Sequence, residues 1–239
     1  MKPQPGSRWW KQLRHGAWSI RGFLMAGFLL SCPPAIAQTP QRIEVAVERR
    51  DATGWHTVSP ATVFAPGDHL RFRVSSTFAG YLYVINHGTS GSYDLLFPRS
   101  DTGSDNRIAA AKEFFVPAFQ GSFSVGGPPG HDVIYWLVSP VEFGRQYRPL
   151  PPPPAPGTLP PSFRPRCDDV LLKARGECVD TTAGIKPVKP GDKLPENMNG
   201  LANAASRDLV FTEEQSQTVI SSPTPLSGPI VYELLLSHR

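Results

Sequence analysis

The sequence predicts an all-β protein: an immunoglobulin-like, two-sheet sandwich carrying a long proline-rich, disulfide-closed insertion. Three observations carry that expectation. Short runs in which apolar and polar residues alternate recur along the chain, the period-2 signature of half-buried strands. Two further runs, Tyr81–Ile85 and Val133–Val138, are apolar on both faces and rich in β-branched and aromatic residues, as central strands are. Turn residues separate the runs, and helical periodicity is almost absent.

Taken in order, Ile43, Val45 and Val47 alternate with Arg42, Glu44 and Glu48 in a half-buried strand. Pro66-Gly67-Asp68 is turn chemistry, since proline fixes φ and glycine permits φ > 0. Leu70, Phe72 and Val74 then alternate with His69, Arg71 and Arg73. Tyr81–Ile85 turns through Asn86–Ser92 and returns as Tyr93–Phe97, a hairpin with a long tip that Pro98 ends. Phe114-Phe115-Val116-Pro117 reads as a short edge strand. Phe123–Val125 and Val133–Val138 follow, split by the glycine- and proline-rich Gly126–Gly130. In the last run Ile230, Tyr232, Leu234 and Leu236 face one way, with Glu233 and Ser237 on the other side. This makes eight or nine strands.

Between the last two strands, about 144–207, the composition shifts to Pro, Gly, Asn and charge. Pro149–Pro156 is suited to polyproline II. Asp168–Ala174 is the one short helix candidate, and Asn197–Ser206 reads as coil. The whole stretch is expected to stand outside the core, as an irregular insertion in one sandwich domain spanning 38–239. The final strand, too apolar for a tail, completes the sheet begun before it.

Residues 1–37 read as a secretory signal peptide. Lys2, Arg8, Lys11, Arg14 and Arg21 form a positive leader, Phe23–Leu30 is apolar, and Ala35-Ile36-Ala37 offers small residues for cleavage between Ala37 and Gln38. The apolar run is too short to span a membrane, which takes ~20 residues. Leu29-Leu30-Ser31-Cys32 is the rival site, at which Cys32 would be lipidated. The leader holds five of the 24 Lys+Arg and none of the 20 Asp+Glu, so 19 positive charges face 20 negative in the remainder. The net +4 of the full chain belongs to the leader, and nucleic acid is not an expected partner. Once Cys32 is set aside, Cys167 and Cys178 remain, an even pair that favours a disulfide in an exported protein.

Several motifs together resemble a bacterial family. These are Pro66-Gly67-Asp68 leading into Leu70–Val74, Gly80-Tyr81-Leu82-Tyr83, Leu95-Leu96-Phe97-Pro98, Asn106-Arg107-Ile108, Val116-Pro117, and Gly130-His131-Asp132 before Trp136–Ser139. In order and spacing they are similar to the domain-of-unknown-function family numbered 4384, over about Thr62 to Ser139. The resemblance implies an extracytoplasmic β-sandwich with an accessory or interaction role, and it supplies no catalytic residues.

The residues themselves offer little chemistry. In Gly88-Thr89-Ser90-Gly91-Ser92 the spacing of a serine nucleophile elbow fails, because Gly91 directly follows Ser90. Asp101–Asn106 is oxygen-rich, but Gly103 stands where a calcium loop needs its second ligand. His87, His131 and Asp132 are the one acid–base group that could assemble, as an envelope hydrolase would require. Tyr81, Tyr83, Phe97, Tyr135 and Trp136 would stack on sugar in a glycan-binding module, but they lie in apolar runs that fill cores. The expectation is a non-enzymatic interaction protein of the bacterial envelope, periplasmic or secreted, with an unknown envelope protein as partner. No cofactor and no metal is expected.

Overall fold

Strand-period alternation becomes pairing in the computed structural model, which describes residues 40–118, 120–143, 167, 173 and 178–239. Thirteen strands occur among them: β1 (Gln41–Asp51), β2 (Gly54–Val58), β3 (His69–Ser76), β4 (Gly80–His87), β5 (Tyr93–Phe97), β6 (Arg107–Ile108), β7 (Glu113–Val116), β8 (Phe123–Ser124), β9 (Gly130–Ser139), β10 (Gly184–Pro187), β11 (Val210–Glu214), β12 (Gln217–Ser222) and β13 (Ile230–His238). A 3-10 turn (Glu196–Met198) leads into a short helix, α1 (Asn199–Ala204).

The strands form two antiparallel sheets. One runs β11-β12-β1-β3-β7, with β2 also on β1 and β8 also on β3; the other runs β10-β13-β9-β4-β5, with β6 on β4. The order β1-β3-β7 facing β13-β9-β4-β5 is the strand exchange of an immunoglobulin-like sandwich. Beyond that frame, β12 and β11 extend the first sheet past β1, and β10 extends the second past β13.

Between the sheets lies the main core. Ile43, Val45, Val47, Leu70, Phe72, Val74, Leu82, Val84, Ile134, Trp136, Val138, Tyr232, Leu234 and Leu236 are all buried there. Trp136 stands edge-on to Phe72, with centroids 5.1 Å apart, and lies parallel to Tyr232 at 5.9 Å. These are the residues that the alternating runs place on one face. Trp136 Nε1 and Tyr232 Oη are buried without a hydrogen-bond partner among the described residues.

A second apolar cluster covers the outer face of the β9–β4 sheet. Tyr83, Ile85, Tyr135, Leu137 and Val231 meet Leu194, Met198, Leu201, Ala202 and Ala205. This corrects two expectations. Asn197–Ser206 is not coil, since α1 forms within it. The stretch 144–207 is not wholly outside the core, since its later part supplies β10 and the cover of a sheet face. Leu194, Met198, Leu201, Ala202 and Ala205 recur at helical spacing, so the exposed Gly200 and Asn203 on the other side of the turn are tolerated. Ser206 clasps the start of β13: its N–H donates to the Pro229 carbonyl at 2.9 Å and its Oγ to the Gly228 carbonyl at 2.8 Å. A Cβ on Gly228 would collide with the Ala204 carbonyl, so only glycine allows this approach.

The Cys167–Cys178 disulfide is present. Pro149–Pro156, the Ala37–Gln38 site, Cys32 and all of Asp168–Ala174 except the helical Lys173 lie outside the described residues. Residues Gln38–Arg239 cluster as one compact unit.

Candidate functional site

Side chains alternate across a strand, and that decides the fate of the acid–base group. His131 and Asp132 are neighbours at the start of β9 and therefore point to opposite faces. His131 Nε2 lies 2.9 Å from Asp180 Oδ2. Asp180 Oδ1 also accepts from Thr182 Oγ1 at 2.6 Å and from the Thr182 N–H at 2.9 Å, while Ser237 Oγ donates to Oδ2 at 3.4 Å. Asp132 instead accepts from the Thr89 N–H at 2.8 Å and lies 3.4 Å from His238 Nε2. His87 stands against Tyr93 with ring centroids 5.5 Å apart, and its Nε2 is buried without a partner among the described residues. Burial lowers the His87 pKa, and the charge of Asp132 opposes this as the smaller effect. The three residues are thus divided among separate contacts. The partners that split them, Asp180 and His238, are far away in sequence and carry no motif.

Gly88–Ser92 is a hairpin tip, closed by the Gly88 N–H to the Ser92 carbonyl at 2.9 Å. In Asp101–Asn106 the Arg99 guanidinium takes the Asp101 carboxylate and lowers its pKa. No group of three or more metal-ligating side chains occurs among the described residues. Tyr83, Phe97, Tyr135 and Trp136 are buried, as the apolar runs require, while Tyr81 is half-buried beside the Arg107 guanidinium.

Two further surfaces stand out. On the outer face of the first sheet, Glu48 is nearly buried and accepts from Arg71 Nε at 2.6 Å and Arg73 Nε at 2.8 Å. The Arg71 guanidinium lies 4.4 Å from the centroids of both Trp55 and Phe115. Arg73 reaches on to Glu113 at 3.2 Å, so the charges on this face are matched internally.

The other surface is the seam where the sheets part. β11 and β10 end their respective sheets; one hollow lies between them, and a second adjoins it beside β1, β2 and the β11–β12 turn. The smaller, about 260 Å³, lies between Gly184-Ile185 and Phe211–Glu213. The larger, about 460 Å³, is lined by Arg49, Ser59, Asp68, Cys178, Ser216 and Arg239 among others. Ser59 Oγ donates to Glu213 Oε1 at 3.3 Å where they meet. The wall is fixed by the backbone: the Val63 N–H donates to the Cys178 carbonyl at 2.8 Å and the Asp180 N–H to the Ala61 carbonyl at 2.9 Å. Gln215 and Ser216 turn the β11–β12 hairpin with positive φ, +50° and +62°.

Fold and surfaces define a β-sandwich module with an elaborated seam. Residues 63–142 match the family described as a domain of unknown function, DUF4384, the family that the motifs from Pro66 to Ser139 resemble. No curated protein and no solved structure matches the chain. The family match runs from before β3 to just after β9. Arg49, Cys178, Phe211, Ser216 and Arg239 all lie outside it.

Proposed function

We propose that this is an exported, non-catalytic interaction protein of the bacterial cell envelope, periplasmic or secreted, whose seam groove receives a protein partner. The observation that carries the reading is the groove itself. It runs from the gap between β10 and β11 to the flank of β1 and β2, and most of its walls come from segments beyond the family match. Binding residues concentrate on segments that a rigid scaffold positions. The His131 and Ser237 side chains support the non-catalytic part, because both bond to the Asp180 carboxylate rather than to each other. The leader and the Cys167–Cys178 disulfide support an oxidising destination.

A photo-cross-linking residue at the exposed Thr212, with Asp192 as control, tests this in intact cells. Adducts are expected at Thr212 alone. A hydrolytic turnover of peptidoglycan, peptide or ester that disappears in His131→Ala would contradict the reading. Intact mass under non-reducing conditions should show a chain beginning at Gln38 with the disulfide closed, rather than one acylated at Cys32.

A further inference from the structure

We infer that the larger hollow of the seam is a carboxylate site, and that its ligand is an extended peptide with one leading carboxylate and uncharged residues behind it. This rests on the interaction reading above and names the chemistry of the partner. Arg49 points the way. Its guanidinium is about one-third exposed and touches Asp68 only at 3.9 Å, beyond hydrogen-bond range. Asp68 is already engaged, accepting from the Ala65 N–H at 2.9 Å. Among the described residues nothing else takes the Arg49 donors, although a guanidinium offers five of them in a planar fork matched to carboxylate.

Arg239 lines the same hollow, and its N–H donates to the Phe64 carbonyl at 3.0 Å, which fixes that end of the chain. Arg49, Asp68 and Arg239 thus line one hollow together with Ser216 and Thr62, and Asp68 is the one acidic side chain among its lining residues. This lining is rich in donors and suits a single anion.

The rest of the ligand follows from the adjoining hollow. Among the described residues β11 pairs only with β12, so its other edge presents backbone groups to an added strand. Half-buried Phe211, seated edge-on against Tyr232 with centroids 6.1 Å apart, offers an apolar floor. Glu213 stands between the hollows and would repel a second negative charge there. One carboxylate at Arg49 and neutral residues past Glu213 is the pattern the groove accepts.

The probe is a Val-Thr-Val-Thr-Asp peptide amidated at its C-terminus and labelled with an uncharged BODIPY dye, compared with the equally amidated and labelled Val-Thr-Val-Thr-Asn peptide, in an anisotropy titration of the mature disulfide-bonded protein. The acidic peptide is expected to bind about tenfold more tightly than the neutral one, in line with a charge-assisted hydrogen bond. Arg49→Gln should remove that preference while the melting temperature stays put. Inorganic phosphate that competes as well as the peptide would overturn the peptide assignment. Equal binding of both peptides, or an unchanged preference in Arg49→Gln, would overturn the carboxylate site. If Thr212 still cross-links a partner in cells while both peptides fail, the ligand chemistry is wrong and the groove reading stands. Failure of both removes the groove reading as well.

Discussion

Two apolar clusters press on opposite faces of β4, β9 and β13, and they are built differently. The inner one joins sheet to sheet with large residues such as Trp136, Phe72 and Tyr232. The outer one sets Tyr83, Ile85, Tyr135 and Leu137 against a single helical turn and a half, with alanine for much of its contact. The lesson is that a strand apolar on both faces needs a cover on each. Here the second cover comes from the part of the chain least like regular structure. The inner cluster should therefore govern global stability, and the outer one the order of 188–206.

Breaking the inner cluster should cost most. Trp136→Ala removes the centre of the Phe72–Trp136–Tyr232 stack and should lower stability by about 4 kcal/mol in chemical denaturation. Met198→Ala, at a fully buried position of the outer cluster, should cost about 3 kcal/mol. An equal loss for Met198→Ala, or a larger one, would erase the distinction between the clusters. Gly228→Ala drives a methyl group at the Ala204 carbonyl, at the edge of the outer cluster beside Ala205, and should cost about 2 kcal/mol as α1 shifts. Its effect on near-ultraviolet dichroism should come from Tyr83 and Tyr135, not from Trp136.

Two smaller effects sharpen the comparison. Tyr232→Phe deletes a buried hydroxyl without a partner among the described residues and should stabilise the inner cluster by about 1 kcal/mol. His87 flanks the outer face, with its pKa held below the ordinary 6.5 by burial. Between that lowered value and 6.5 the unfolded chain binds more protons than the folded one, so stability should rise with pH through this window. His87→Phe should flatten that slope in urea titrations at stepped pH.

Much of the sandwich was legible because alternation fixes which residues face inward, as at Ile43–Val45–Val47 and Leu70–Phe72–Val74. The apolar character of both faces at Tyr81–Ile85 and Val133–Val138 also held the news of an outer cover. The cover itself was hidden. Leu194, Met198, Leu201, Ala202 and Ala205 do fall at helical spacing, but small and polar residues dilute the signal, and α1 is too short to be stable alone. β2, β6, β10, β11 and β12 escaped notice because each is short and takes its place from a neighbouring strand rather than from a strong pattern. At the site, strand alternation already sets adjacent His131 and Asp132 on opposite faces, but the partners that claim them, Asp180 and His238, come from distant segments and could not be read from the sequence. Nothing in the spacing of Arg49, Asp68 and Arg239 marks a shared hollow; the topology alone unites them.

The central claim is that the segments between β9 and β13 are structural members of the sandwich, not an appendage. Native-state hydrogen exchange tests it most directly. The account predicts that amides of Gln217–Ser222 in β12 and Leu201–Ala205 are protected well beyond fraying, with β12 approaching the protection of β9. Exchange of both stretches at the rate of an unstructured chain, with β9 still protected, would contradict it.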